Sequence, residues 1–441
     1  MKKRDNPVFI FGALTAAVFM VLACTIFFPG CGKLLGATPP VSQNGGGADS
    51  LPTFLVISDI HLHSSLLQDD ITSAGAADTG HDLWDTAQNK IRKVLAGEAG
   101  FSKPKFIIVL GDLPWHANAV IGSELESAHE NSGQVLHDLR LMAEKADVPL
   151  IYVPGNNDPW VGDYHPFSLK MFTQDTDACK TCWPIITPRR DVTEVQEQTT
   201  LNMGYYSVLP LGLKSKLRVI VLNSTILSHK YTDTQNQRAD ATAQIKWLQT
   251  QLEQAKAENR FVLIAMHVPP GMDGYKKKDF WRKVVMDNDT PVQNAFLDLI
   301  DKYQDRIVGL LSSHTHMDGL RKLYNRSGKL TAVDISVPGI TPGHGNNPAF
   351  KIVSYNPVNF ELQNFTTLYQ DFFPNKKVVA WGNQSFDFKT EFGCPQGTSI
   401  RSCLDTLNIS TLRQGIQNIY RAKHGLGNGE EVNAAIDVVY E

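Results

Sequence analysis

Short runs of Val, Ile, Leu and Phe bounded by turn-forming residues recur along the chain. Between them lie longer stretches with an apolar residue every three to four positions. The first pattern predicts strands over 54–58, 105–110, 150–153, 217–222, 261–265, 306–311 and 332–337. The second predicts helices over 82–95, 124–146, 239–255 and 290–303. Strand patterns return at 350–355 and 360–368, and from Gly393 onward the pattern is helical and polar. Strands alternating with helices predict an α/β fold of layered form, with central β-sheets flanked by helices. A small, mainly helical C-terminal subdomain is expected after them.

The residues just past the strands carry the chemistry. The first strand ends in Asp59-Ile60-His61 and the second in Gly111-Asp112. The third ends, one proline later, in Gly155-Asn156-Asn157-Asp158. The runs at 261–265 and 306–311 lead to His267 and to His314-Thr315-His316. Sites in open α/β sheets form beyond the carboxyl ends of strands, so five such clusters are expected to meet at one place. Any one of them alone is an ordinary loop or core residue.

Asp59, His61, Asp112, Asn156, His267, His314 and His316 together offer seven ligands, too many for one tetrahedral ion. They suit two divalent cations sharing a carboxylate. Imidazole with carboxylate fits zinc, with iron or manganese as alternatives, better than magnesium or calcium. Two dications against two carboxylates leave a positive site that attracts phosphate. Paired metals are a standard device for attack on phosphorus by an acidified water held between them.

The N-terminus changes the expected location. Lys2, Lys3 and Arg4 precede a stretch from Pro7 to Phe28 without a charged residue. That is an export signal or a membrane anchor, with the basic side in the cytoplasm. Val21-Leu22-Ala23-Cys24 also resembles a lipoprotein box, although Leu22 is bulky for one. The protein is therefore expected at the cell surface or in the periplasm, held by this helix or by a lipidated Cys24, or else secreted. Residues 31–52 are rich in Gly, Pro and Ser, a tether composition. In an exported chain, the close pairs Cys179/Cys182 and Cys394/Cys403 read as disulfides. For the first pair, a redox or zinc motif is the alternative. With 42 Lys and Arg against 45 Asp and Glu, the chain has no basic excess, and no nucleic-acid-binding module is expected.

The ordered series of blocks resembles the calcineurin-like metallophosphoesterases, whose motifs run D-x-H, G-D, G-N-[HN]-[DE], H and G-H-x-H. Gly111-Asp112-Leu113-Pro114-Trp115-His116, Asn202-Met203-Gly204-Tyr205-Tyr206-Ser207 and His267-Val268-Pro269-Pro270-Gly271 are similar to segments of the acid sphingomyelinase-like branch. So is the late block from Pro338 to Phe350, which has no evident catalytic part. The resemblance implies a metallophosphoesterase domain over 53–375, after a signal or anchor over 1–30 and a linker over 31–52. Residues 376–441 would be the C-terminal subdomain. It implies that Asp59, His61 and His316 hold one metal, that Asn156, His267 and His314 hold the other, and that Asp112 bridges.

The third block sets Asn157 and Asp158 in the catalytic region, but Asn157 stands where relatives carry a proton-donating His, and an amide cannot serve that way. His116 is the remaining candidate acid, with substrate orientation as its alternative role, and His165 is a weaker substrate contact. Ser313 replaces a usual glycine, and His63 a common Asp. The implied activity is hydrolysis of phosphodiesters in a sphingomyelinase-like manner. The implied substrates are small phosphate esters: nucleotides, phospholipid headgroups or polyphosphate. The alternatives are a phosphomonoesterase, nucleotide or polyphosphate hydrolase on the same metals and, from another class, an inactive metal-binding surface module.

Overall fold

In the computed structural model, the first strand alternates its side chains between two cores. Phe54 and Val56 enter a core between two sheets, while Leu55 and Ile57 enter a second core beneath helices. The same period of two recurs at Leu263 and Ala265 against Val262 and Ile264. Strands apolar on both faces must be covered on both faces. The result is four layers, with helices on the outside and two sheets face to face within. Full burial of a side chain such as Phe54 or Ile264 contributes about 1.5–3 kcal/mol.

The structure describes residues 51–66, 78–98, 100–116, 122–173, 183, 185–186, 194–196, 198–274, 277–373, 375, 378, 380–427 and 436–441. The expected export segment, the expected linker up to residue 50 and the Cys179/Cys182 pair lie outside these residues. Among the described residues, no helix is long and apolar enough to cross a membrane.

The strands of the two large sheets in chain order are β1 (Thr53–Ile57), β2 (Ile107–Val109), β3 (Leu150–Tyr152), β4 (Ile185–Ile186), β5 (Glu194–Gln196), β6 (Tyr206–Leu209), β7 (Leu217–Val221), β8 (Phe261–Ala265), β9 (Ile307–Ser312), β10 (Gly319–Tyr324), β11 (Leu330–Ser336), β12 (Ala349–Tyr355), β13 (Leu362–Tyr369), β14 (Ser385–Asp387) and β15 (Asp437–Val438). The main helices are α1 (His81–Leu95), α2 (Ser123–Ala146), α3 (Gln237–Ala257), α4 (Val292–Lys302), α5 (Phe388–Phe392), α6 (Ile400–Thr406) and α7 (Ile409–His424).

One sheet runs β14-β13-β12-β1-β2-β3-β4 and the other β15-β10-β11-β9-β8-β7-β6-β5. Each has a parallel centre, β1-β2-β3 in the first and β7-β8-β9-β11 in the second. The site-bearing loops leave the carboxyl ends of these parallel strands. Helices α1 and α2 cover the first sheet, and Trp84 of α1 donates Nε1–H to Asp138 of α2 at 2.9 Å. Helices α3 and α4 cover the second.

The C-terminal region is helical (α5–α7), as the pattern predicts, and Cys394 and Cys403 form a disulfide that ties the end of α5 to α6. The region also supplies β14 to the first sheet and β15 to the second. Strand β10 is not expected from the sequence, because Arg321 and Lys322 read as solvent-facing. Both are buried, and Arg321 donates to the Met272 carbonyl at 2.7 Å and stacks over Phe280.

A buried ion pair joins the layers. Lys351 on β12 donates to Asp318 at 2.5 Å and to Thr367 at 2.8 Å, and Thr367 donates to Asp318 at 2.8 Å. Burial lowers the Lys351 pKa to about 8 against the pull of Asp318. Removing one partner strands the other charge, which costs about 3–5 kcal/mol. Lys351→Met is therefore expected to lower the urea midpoint sharply at unchanged m-value, and Lys351→Met with Asp318→Leu to recover most of the loss. A Lys351→Met midpoint equal to the parent's would show that the pair does not matter.

Candidate metal centre

The loops beyond the strands are tied to one another before any side chain is considered. Backbone N–H groups of Asp59, Ile60 and His61 donate to the carbonyls of Gly111 and Asp112 at 2.9–3.1 Å. Gly111 has φ +83°, and a Cβ there would sit 2.3 Å from the Gly155 nitrogen. A Cβ on Gly155 would sit 2.2 Å from Asp112 Oδ1. The two glycines admit this close approach of the second and third loops. Asp158 fastens the same junction: its carboxylate accepts from the N–H groups of Asp112, Leu113 and Gly155 at 2.6–2.9 Å.

Five of the expected ligands have left-handed backbone: Asp59, His61, Asp112, His314 and His316, with φ between 45° and 71°. Such residues cost roughly 1–3 kcal/mol each and persist where the surroundings over-determine them. Each sits just past a strand, where the reversed φ redirects the side chain.

All seven expected ligand side chains come together. Asp112 Oδ2 lies 3.4 Å from His61 Nε2 and 3.2 Å from His267 Nε2. Asp59 Oδ1 lies 3.6 Å from His316 Nε2 and 3.9 Å from both His61 and His267. Asn156 Oδ1 is 3.0 Å from His267 Nε2, while its amide N–H donates to Asp163 at 2.7 Å and so fixes which end faces inward. Ligand-type atoms of Asp112, His267 and His314 fall within 4.8 Å of one another, as do those of Asp59, His61 and Asp112.

The donor set fits cations. Both Asp59 carboxylate oxygens and His61 Nε2 are buried and make no hydrogen bond, and the same holds for Nδ1 of His314 and of His316. Buried polar atoms are normally paired. His61 Nδ1 and His267 Nδ1 contact the carbonyls of Pro114 and Leu110 at 2.9 and 2.5 Å, which turns each Nε2 toward the centre.

Burial, helped by neighbouring imidazoles, lowers the His61 pKa to about 3 and holds His314 and His316 well below the usual value. These rings are neutral and keep lone pairs to give. Burial raises Asp59 to about 7, and Asp112 adds to it. For Asp112 burial works the other way from its partners, and His267, with the backbone N–H of Asn157, holds it well below the usual range. Burial likewise opposes charge on His267, but Asp112 and Asp59 outweigh it and raise the pKa to about 9. A cation taking His267 Nε2 would release that proton.

The other expected site residues divide. His116 lines the cavity beside the cluster, stacks on His61 at 3.9 Å, and has a side chain 46% exposed. Its Nδ1 is 2.7 Å from Asp78, leaving Nε2 toward the cavity. Asn157 also lines the cavity and donates to Asp112 from its backbone at 2.8 Å and its amide at 2.9 Å. Asp158, expected among the catalytic residues, is buried and turned to backbone amides instead, since three N–H donors there need an acceptor. His165 does not line the cavity; its neighbours Asp163 and Tyr164 do.

Sequence reasoning missed Asp78 and Tyr164, and the contact made by Ser313. Tyr164 OH contacts His314 Nε2 at 3.0 Å, and Ser313 Oγ contacts His267 Nδ1 at 3.0 Å. Ser313 needs no positive φ, so its replacement of glycine is tolerated. Asp78 lies in a polar loop with no periodic signal, so nothing local marks it. His63 packs beside Trp115 and contacts Ser65.

Residues 52–318 match the family described as Calcineurin-like phosphoesterase. The chain is 26% identical over 295 residues to sphingomyelinase phosphodiesterase D of Dictyostelium discoideum, covering 65% of this chain and 61% of that protein. It is 26% identical over 276 residues to cyclic GMP-AMP phosphodiesterase SMPDL3A of Bos taurus, covering 60% and 56%. Both matches span less than two thirds of the relative's own length. The Homo sapiens protein of the same name is 23% identical over 378 residues, covering 80% of this chain and 78% of its own. With the family match spanning more than half of its length and its relatives lying in the sphingomyelinase-like branch, the chain belongs to the calcineurin-like phosphoesterase family.

Proposed function

We propose that this protein is an exported phosphodiesterase that works with two divalent cations, zinc foremost, on a small phosphate ester such as a nucleotide, a phospholipid headgroup or polyphosphate. One observation carries the reading: seven ligand-type side chains from five strand ends converge, and among them both Asp59 oxygens, His61 Nε2 and the Nδ1 atoms of His314 and His316 are buried without a hydrogen bond. Asp59, His61 and His316 would hold one ion, Asn156, His267 and His314 the other, and Asp112 both. The ions would supply an acidified water and would neutralise charge on the phosphoryl oxygens.

The remaining roles fall to the chain itself. His116 gives its Nε2 proton to the leaving oxygen, and Asp78 holds the ring by Nδ1. Asn157 orients Asp112 and does not donate a proton. Asp163, bonded to Asn156, and Asp273 set further carboxylates on the cavity wall. Lys230, Lys278 and Arg321 line the same cavity, so its wall carries both signs of charge, and the preference for a diester is supported by the similarity to phosphodiesterases. The residue ranges keep their expected parts: 1–30 signal or anchor, 31–52 linker, 53–375 catalytic domain, 376–441 C-terminal subdomain.

Two results are expected of the purified protein. Elemental analysis should find about two divalent ions per chain. Turnover of bis(p-nitrophenyl) phosphate should exceed that of p-nitrophenyl phosphate, and should vanish with chelator and return with added zinc, iron or manganese. Asp112→Asn should lose both metal and turnover. A protein that binds no ion under any preparation removes the reading.

His116→Ala should keep its metal and lose on the order of 10²–10⁴-fold in kcat toward the diester. Full kcat in that variant would remove His116 as the acid.

A further inference from the structure

The late block from Gly345 to Phe350 is distinctive in sequence and takes no part in the chemistry above. It forms a socket for a C-terminal strap. At the end of α7, Arg421, Ala422, Lys423 and His424 are successive non-glycine residues with positive φ, a left-handed turn that L-residues seldom make. Asn347 holds it: its N–H donates to the Arg421 carbonyl at 3.2 Å and its amide to Ala422 at 3.4 Å, while its side-chain oxygen accepts from the N–H groups of Phe372 and Phe373. Leu426 N–H donates to Gly345 O at 2.9 Å. A Cβ on Gly425 would fall 2.2 Å from that same carbonyl, so strap and socket meet this closely only with glycine there. Lys423 pairs with Glu391 of α5 at 2.7 Å, which ties the strap to the C-terminal helices.

The fit has a destination. The residue before the turn, Tyr420, is buried yet lines the catalytic cavity. The residue before the socket, His344, has φ +64°, lines the same cavity, and meets the His316 ring edge-on at 4.9 Å. Met317 and Leu320 also line this cavity, whose volume is about 280 Å³. From the socket, Asn346 donates to Gly339 O, and Gly339 packs directly on Asp59.

We propose that Tyr420 and His344 form a specificity wall for a flat aromatic substituent carried on the phosphorus, and that Asn347 positions this wall by docking the strap. The inference rests on the phosphodiesterase reading above. An aromatic ring entering the cavity would meet the His344 ring, which contacts His316, and Tyr420 on the same lining, where ring–ring contact adds to burial.

The test compares bis(p-nitrophenyl) phosphate with methyl p-nitrophenyl phosphate on the metal-loaded protein. Tyr420→Ala should raise KM for the bis-aryl ester about tenfold relative to the methyl ester, with kcat changed much less. Tyr420→Phe should keep the discrimination. Asn347→Ala should reproduce the loss and open 420–427 to limited proteolysis. An unchanged KM ratio in Tyr420→Ala, or an equal fall in kcat on both esters, overturns the wall. Should the wild type turn over neither ester, the diesterase reading falls on its own. The wall is then judged by calorimetry of phenylphosphonate against methylphosphonate, where Tyr420→Ala must weaken the phenyl compound selectively.

Discussion

The Asp112 carboxylate is the point at which the two sheets meet. One of its oxygens lies within 3.4 Å of an imidazole from the first sheet and one from the second. The group is buried and held ionised, facing the charged His267 and accepting two N–H groups of Asn157. A buried charge must be matched or it destabilises the fold. The sheets are therefore positioned by an electrostatic requirement as well as by the apolar core between them.

That requirement explains why so much unfavourable backbone is gathered in one place. Five left-handed residues and two closely approaching glycines would each weaken an ordinary loop, and the Asp158 carboxylate, accepting from three backbone N–H groups, offsets this. Here they gather around Asp112, tied to it through Gly155, Asp158 and the loop that carries Ile60 and His61. Strain of this kind is kept where the surroundings over-determine it, and a site assembled in advance loses little freedom when a ligand arrives. The neutral state of His61, His314 and His316 belongs to the same design, since burial removes protons that would otherwise compete for the nitrogens.

The layered fold is legible in the sequence because its strands are apolar on both faces and end in abrupt polar clusters. Expected and observed strands differ by a residue or two at their ends, as at 306–311 against Ile307–Ser312. Convergence of the seven expected ligands is legible for the same reason: each directly follows a buried run. Strand β10 is not, because a buried arginine bonded to a carbonyl looks exposed until its partner is known. Asp78 and Tyr164 escape notice since their contacts are made across long sequence separations from loops without periodicity. The place of Asp158 in a catalytic block conceals a structural task, visible only once its amide partners are located. The late block is distinctive but cannot be interpreted from sequence, because its partner lies some 75 positions away, in Ala422.

Strand β15 acts outside the site. Asp437 and Val438 pair with Lys322 and Leu323, and so cap the open side of β10. An uncovered strand edge is a template for pairing with another molecule, and β10 carries Leu320 and Leu323. This two-residue strip thereby guards against self-association, a safeguard against aggregation that is independent of whatever the metals do.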